Sequence, residues 1–363
     1  MLTRSQFLFC TAVAISAGLA CADEARLRYT FPTDPVGYRL VLKSENEMSG
    51  AFFGPKGMKG GLAAAELCEF RKVGADGDSS RVEMRFKAIK FRQDTPGGKS
   101  LYFDTSSTEF RDAKPDEMDA MAKMMHEVID KPILLTIDAR GEVTRIENTK
   151  PIREAVKAAG SGDQLGEATI EGMLKDDRLT RSLGALFVPL PEKPVKKGAT
   201  WTSSATETEQ LIGTIKRDTS WTYVADETVG KASVAHLKGE GTVQAVEDKE
   251  KLSKRPPGSK MEIDQKEAKV STDVLFDPKA GLVQSVTSES IMPIAMSFNA
   301  ENQAMAMKMR FNSTNSATLV GAGAPLDPDG VVTRPDAEAT RRSTSTRLTP
   351  LPKDAPKDAP KDH

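Results

Sequence analysis

Cysteine is nearly absent from this sequence: three in 363 residues, at positions 10, 21 and 68, too few and too scattered for a disulfide framework. Histidine is as rare, and His126, His236 and the terminal His363 have no metal-ligand spacing. No Gly-x-Ser-x-Gly elbow is present to raise a nucleophile. Gly97-Gly98-Lys99-Ser100 ends like a phosphate loop, but Gln93 stands where that loop needs glycine, so it reads as a hairpin turn. Asp327-Pro328-Asp329-Gly330 is too short for a calcium loop. No run of apolar residues reaches the ~20 that a membrane-spanning helix requires. Charge of one sign is also missing: 51 basic against 52 acidic residues argue against nucleic acid or an anionic lipid surface as the main partner. These absences leave no catalytic residue and no cofactor to name. The chain reads as non-enzymatic, with a hydrolase assembled by folding from scattered carboxylates as an alternative.

What is present begins with an address. Arg4 precedes an uncharged run from Phe7 to Ala20, and Ala20-Cys21-Ala22 places small residues at the two positions that a signal peptidase inspects. Cleavage after Ala22 is the expectation, giving a periplasmic or secreted protein whose only thiol is Cys68. The alternative is acylation of Cys21, which makes a membrane-anchored lipoprotein. Gly18 and Leu19 fit that pattern imperfectly, since it favours a branched residue at the first position and a smaller one at the second.

Residues 23–320 are dominated by period-two alternation, the mark of half-buried antiparallel strands. Val82, Met84, Phe86 and Ala88 alternate with charged residues, and Met305, Met307, Met309 and Phe311 do the same. Ile294, Met296 and Phe298 precede the latter across a polar link, as in a hairpin. Helical periodicity is confined to the middle, over Asp116–Asp130 behind Pro115 and again between Pro151 and Phe187, where Pro189 and Pro191 end it. The fold expected is α+β, with curved antiparallel sheets and a central helical segment in a single domain over 23–320. Ile133–Val143 and Val274–Val283 resemble each other, each a strand, an Asp-to-Gly turn and a returning strand. That likeness allows two related halves, 23–188 and 189–320, or common turn chemistry. From 321 to 363 the chain becomes rich in Pro, Lys, Asp and Ala, and it reads as a disordered tail.

Methionine is the unusual component, at 15 residues. Met118, Met121, Met124 and Met125 lie beside His126, a candidate copper(I) set because thioethers are soft ligands. The competing readings are core packing and an adaptable wall for an apolar ligand. Gly54, Gly57, Gly60 and Gly61 carry no dinucleotide-binding spacing and read as a loop at the sheet rim.

Several segments resemble an uncharacterised family of exported, β-rich bacterial proteins. They are Tyr29-Thr30-Phe31 with Gly37-Tyr38-Arg39-Leu40, then Ile137 to Val143, then Leu190-Pro191 through Gly198 to Trp201, then Asp277 to Val283. The resemblance implies a compact exported domain with helices packed on curved sheets, and it supplies no catalytic residue. The function expected is binding of an apolar or amphiphilic ligand, or of an envelope protein. The alternative is a structural cell-envelope component tethered through its tail.

Overall fold

Among the described residues thirteen antiparallel strands join in one open, curved sheet. The computed structural model describes residues 24–50, 53–94, 100–114, 118–160, 164–209, 213–246, 260–300, 303–321 and 323–334. In chain order the strands before the helices are β1 (Val36–Gly50), β2 (Met58–Asp76), β3 (Ser79–Asp94) and β4 (Ser100–Asp104). Helices α1 (Thr108–Asp112) and α2 (Ala120–His126) follow, then the hairpin β5 (Ile133–Ile137) and β6 (Val143–Glu147). Helices α3 (Thr149–Ala159), α4 (Gln164–Met173) and α5 (Asp176–Leu186) complete the helical group. The second run of strands is β7 (Thr200–Glu209), β8 (Gly213–Val229), β9 (Ala232–Val246), β10 (Lys260–Ile263), β11 (Lys269–Asp277), β12 (Leu282–Ala300) and β13 (Gln303–Val320).

The order across the sheet is β6-β5-β3-β2-β1-β13-β12-β11-β9-β8-β7, with β4 beside β3 and β10 beside β12. Its centre is therefore made by the first and last strands, paired from Gly37↔Val320 to Gly50↔Met307. We call the side that carries the helices the inner face. There Tyr38, Cys68, Phe70, Met84, Phe86 and Phe276 form one core with Met124, Met125, Val156, Leu183 and Phe187 of the helical group. Helix α5 contacts β12, β13 and β6, so the helices cover one end of the sheet. Among the described residues no helix is long and apolar enough to cross a membrane.

The helix expected over Asp116–Asp130 is shorter. Asp119 caps α2 by accepting the Ala122 N–H at 2.7 Å. Its C-terminal end tightens as Glu127 and Val128 donate to Met124 and Met125, three residues back, and Asp130 at φ 63° turns the chain away. The strand β10 and the helix α1 are additions to what alternation predicts. The glycines at 54–61 are divided between the turn that joins β1 to β2 and the start of β2 itself.

The segments that carry the family resemblance converge on one structural joint. The Tyr29 N–H donates to Ala139 O in the β5–β6 turn, and the next residue's N–H, that of Thr30, donates to Gly281 O in the β11–β12 turn. Both turns are built alike. Asp138 accepts from the N–H groups of Arg140 and Glu142, and Asp277 accepts from those of Lys279 and Ala280. Glycine is required in each: a Cβ at Gly141 would stand 2.4 Å from the Tyr29 ring, and one at Gly281 2.6 Å from the Thr30 backbone. The Tyr29 ring meets Phe187 and Phe276 edge-on, and its hydroxyl donates to Val188 O. Trp201 at the start of β7 donates to Pro189 O at 2.9 Å, which fixes the crossover after α5.

Composition places the start of the tail at 321, but residues 323–334 pack on the outer face. Leu326 and Val332 are buried against Ala65 and Ala88 of β2 and β3, where small side chains leave room for them. Asp327 accepts from the N–H groups of Val331 and Val332 and from Lys90, while Arg92 donates to Thr333. Residues 335–363 and the signal segment 1–22, with Ala20, Cys21 and Ala22, lie outside the described residues.

Candidate functional site

Successive residues of a strand alternate between faces, so the register lines the inner face with rows of side chains. Next to the row of Phe86, Cys68 and Tyr38 in the helix-covered core, one row reads Ile89, Glu66, Leu40, Ala317, Val286, Val274 and Leu237 across seven strands. The next two rows are polar in the middle of the sheet. Leu42, Asn315, Ser288 and Thr272 form the first, and Leu62, Ser44, Ser313, Ser290 and Val270 the second. Hydroxyls satisfy one another along this belt: Ser290 and Ser313 are 2.7 Å apart and Thr272 donates to Ser288 at 3.0 Å.

Beyond the belt the inner face is apolar again and rich in sulfur. Met58, Met48, Met309 and Ile294 share a row, with Met307 and Met296 paired in the row after it. Ile215, Val243, Ile263, Val270, Ile294 and Met309 are buried there as a second core, and Met48, Met292, Met296, Met307 and Phe311 pack around it half-buried. The open part of the inner face is thus two apolar regions separated by a hydroxyl belt.

Glu66 is the exception within its surroundings. Its row neighbours are Ile89 and Leu40, and Ala64 and Cys68 flank it on its own strand. It is half-buried, and among the described residues no hydrogen bond or ion pair meets its carboxyl. Desolvation without compensation pushes its pKa up to about 7. Burial likewise pushes the Cys68 thiol well above its ordinary value, reinforced by the Glu66 charge, which makes this thiol inert at neutral pH.

Other titratable groups among the described residues meet in ion pairs. A cleft of about 350 Å³ on the sheet is lined by Pro35, Glu69, Phe70, Arg71, Glu83, Arg85, Lys87 and Asp130. Glu83 is held below the usual carboxylate range by its bond from Arg85 at 2.7 Å, with Arg71 adding to the effect. Lys87 pairs with Asp130. His236 on β9 has a carboxylate at each ring nitrogen, Glu227 at 2.7 Å and Asp273 at 3.1 Å, so neither nitrogen is free to serve a nucleophile. Among the described residues no group of three or more His, Cys, Asp or Glu side chains is placed to hold a metal ion.

The copper candidates are not presented together. Met124 and Met125 are fully buried in the helix-covered core with Met121, and a Cβ on Gly160 would stand 2.4 Å from the Met124 sulfur. Met118 is also buried, whereas the His126 side chain is 58% exposed. The Met124 thioether fills space between α2 and the end of α3. Glu66 and the belt are not among the residues singled out by motif. Their signal is broken parity: Glu66 interrupts Leu62, Ala64, Cys68 and Phe70, and Ser313 and Asn315 interrupt Phe311 and Ala317.

A family model described only as a family of unknown function, DUF6263, matches residues 77–283. The chain belongs to this family. The matched span runs from the β2–β3 turn to the start of β12, and so takes in the helices and both Asp-to-Gly turns that hold Tyr29 and Thr30. No curated protein matches the sequence. Among solved structures the chain is similar at 11% identity to lipovitellin, over 81% of this chain and 26% of that one, with a TM-score of 0.40. It therefore spans about a quarter of the lipovitellin chain. The outer membrane protein OprG of Pseudomonas aeruginosa is similar at 5% identity over 81% and 99% of the two chains, with a TM-score of 0.21. Likeness this faint carries neither fold nor ligand from those proteins to this family.

Proposed function

We propose that this DUF6263 protein binds an apolar or amphiphilic molecule on the open part of its inner face. The observation that carries the reading is the division of that face: half-buried Leu40 precedes the hydroxyl belt, half-buried Leu42 and Leu62 stand at the β1–β2 side of its rows, and half-buried Met48, Met292, Met307 and Phe311 lie beyond it. Apolar side chains left partly in water gain about 25 cal/mol per Å² when a ligand covers them. Methionine suits such a wall, because its flexible thioether adapts to irregular ligands. The reading goes with an exported protein, the setting to which Met1–Ala22 points.

An apolar naphthylamine dye tests it. Its emission should rise on binding to the full-length protein, and Leu42→Glu together with Met292→Glu should weaken binding at least tenfold while the far-UV spectrum is kept. Absence of any enhancement with the unaltered protein would overturn the reading. Native mass spectrometry of protein from its own host would then identify the natural occupant.

A second reading is a tethered envelope component. What favours it is the strap at 323–334, bound to the outer face, so that the chain continues toward 335 from the side opposite the helices. Deleting 335–363 and fractionating the cells tests this, and an unchanged distribution would remove the tether.

A further inference from the structure

We propose that Glu66 anchors the ligand's head group and that this head group is a protonated amine. The inference rests on the inner-face reading above and names the chemical class of ligand. Glu66 is the acidic member of the row that separates the helix-covered core from the hydroxyl belt, and it stands where apolar surface meets that belt. Every nearby inner-face position that the register supplies is uncharged: Leu40, Leu42, Ala64, Cys68, Ile89 and Phe91. Among the described residues, therefore, no cation meets this carboxyl, although one meets Glu83 and another Asp327.

A half-buried carboxylate without a partner is costly, and the cost is recovered best by a charged donor. A hydroxyl head would give one hydrogen bond and leave the charge uncompensated. A carboxylate head would add a second negative charge. An ammonium supplies both the charge and up to three donors. The alkyl part of such a ligand would run across the belt toward Met48, Met292 and Phe311.

Decylamine, decanol and decanoate, titrated below their aggregation limits into the full-length protein at pH 8, test the proposal by calorimetry. Decylamine should bind at least tenfold more tightly than decanol, and decanoate more weakly than either. Glu66→Gln should reduce decylamine to the affinity of decanol and leave decanol unchanged, while Glu66→Asp keeps part of the preference. Equal binding of decylamine and decanol to the unaltered protein, tighter binding of decanoate, or a preference retained in Glu66→Gln would overturn the role of Glu66 and leave the inner-face reading standing. Failure of all three ligands to bind would overturn both. A Glu66→Gln variant with an altered far-UV spectrum would be replaced by Glu66→Met, for which the same loss of preference is expected.

Discussion

The carboxyl of Glu66 holds its proton more tightly in the folded chain than in the unfolded one, at about 7 against 4.5. Between those values the folded state binds more protons, so stability falls as pH rises through the window and the loss is complete above it. Glu66→Gln removes the dependence. Thermal scans from about pH 5 to pH 8 should show the unaltered protein losing up to about 3 kcal/mol relative to the variant. Asp327 behaves in the opposite way. Desolvation raises its pKa, but the Val332 and Val331 N–H groups and Lys90 outweigh that and hold it below its usual value. Its contribution is present at neutral pH and lost in acid, as the carboxyl is protonated. Asp327→Asn should cost about 1–3 kcal/mol at pH 7 and progressively less below pH ~4. At this scale part of the site was legible in the sequence, since Glu66 breaks the apolar parity of its strand. That its carboxyl has no partner was not, because its neighbours Leu40 and Ile89 are brought to it by register between strands and not by sequence.

Elements were legible where they are long and regular. The alternation around Val82–Ala88 and Met305–Phe311 becomes β3 and β13, and the periodicity after Pro151 becomes α3 to α5. The four residues of β10 and the five of α1 are too short to establish a period, and they form because β12 and the Ser107 cap await them. The strap at 323–334 was illegible for another reason. Its proline-rich composition suits a solvated tail, and only the bed of Ala63, Ala65 and Ala88 makes burial of Leu326 and Val332 worthwhile. Truncation after Arg334 should leave the thermal midpoint close to that of the full chain. Truncation after Gly321 should lower stability by about 2–4 kcal/mol, since it uncovers that bed. The Asp-to-Gly turns give a sharper test. Gly281→Ala forces a Cβ into the Thr30 backbone at a φ of +67° and should cost about 2 kcal/mol or more by chemical denaturation.

At the scale of the molecule, one sheet runs unbroken from β6 to β7, so the two runs of strands share a single hydrogen-bonded ladder. Unfolding should then be a single transition. Trp201 and Trp221 report from β7 and β8, and Cys68 from β2 at the other side of the sheet. Tryptophan emission and N-ethylmaleimide labelling of Cys68, read by peptide mapping, should give the same denaturant midpoint. Two separated midpoints would show independent halves. Strand order itself cannot be read from periodicity, because its central pair, β1 with β13, joins residues more than 250 positions apart at its outer end. This pairing has a consequence in time. One side of the central seam is synthesised more than 250 residues before the other, so the seam cannot close fully until residue 320 has emerged. Premature locking is thereby deferred until both runs of strands have been made, and a polypeptide that must be threaded through a pore before it folds would gain from that delay.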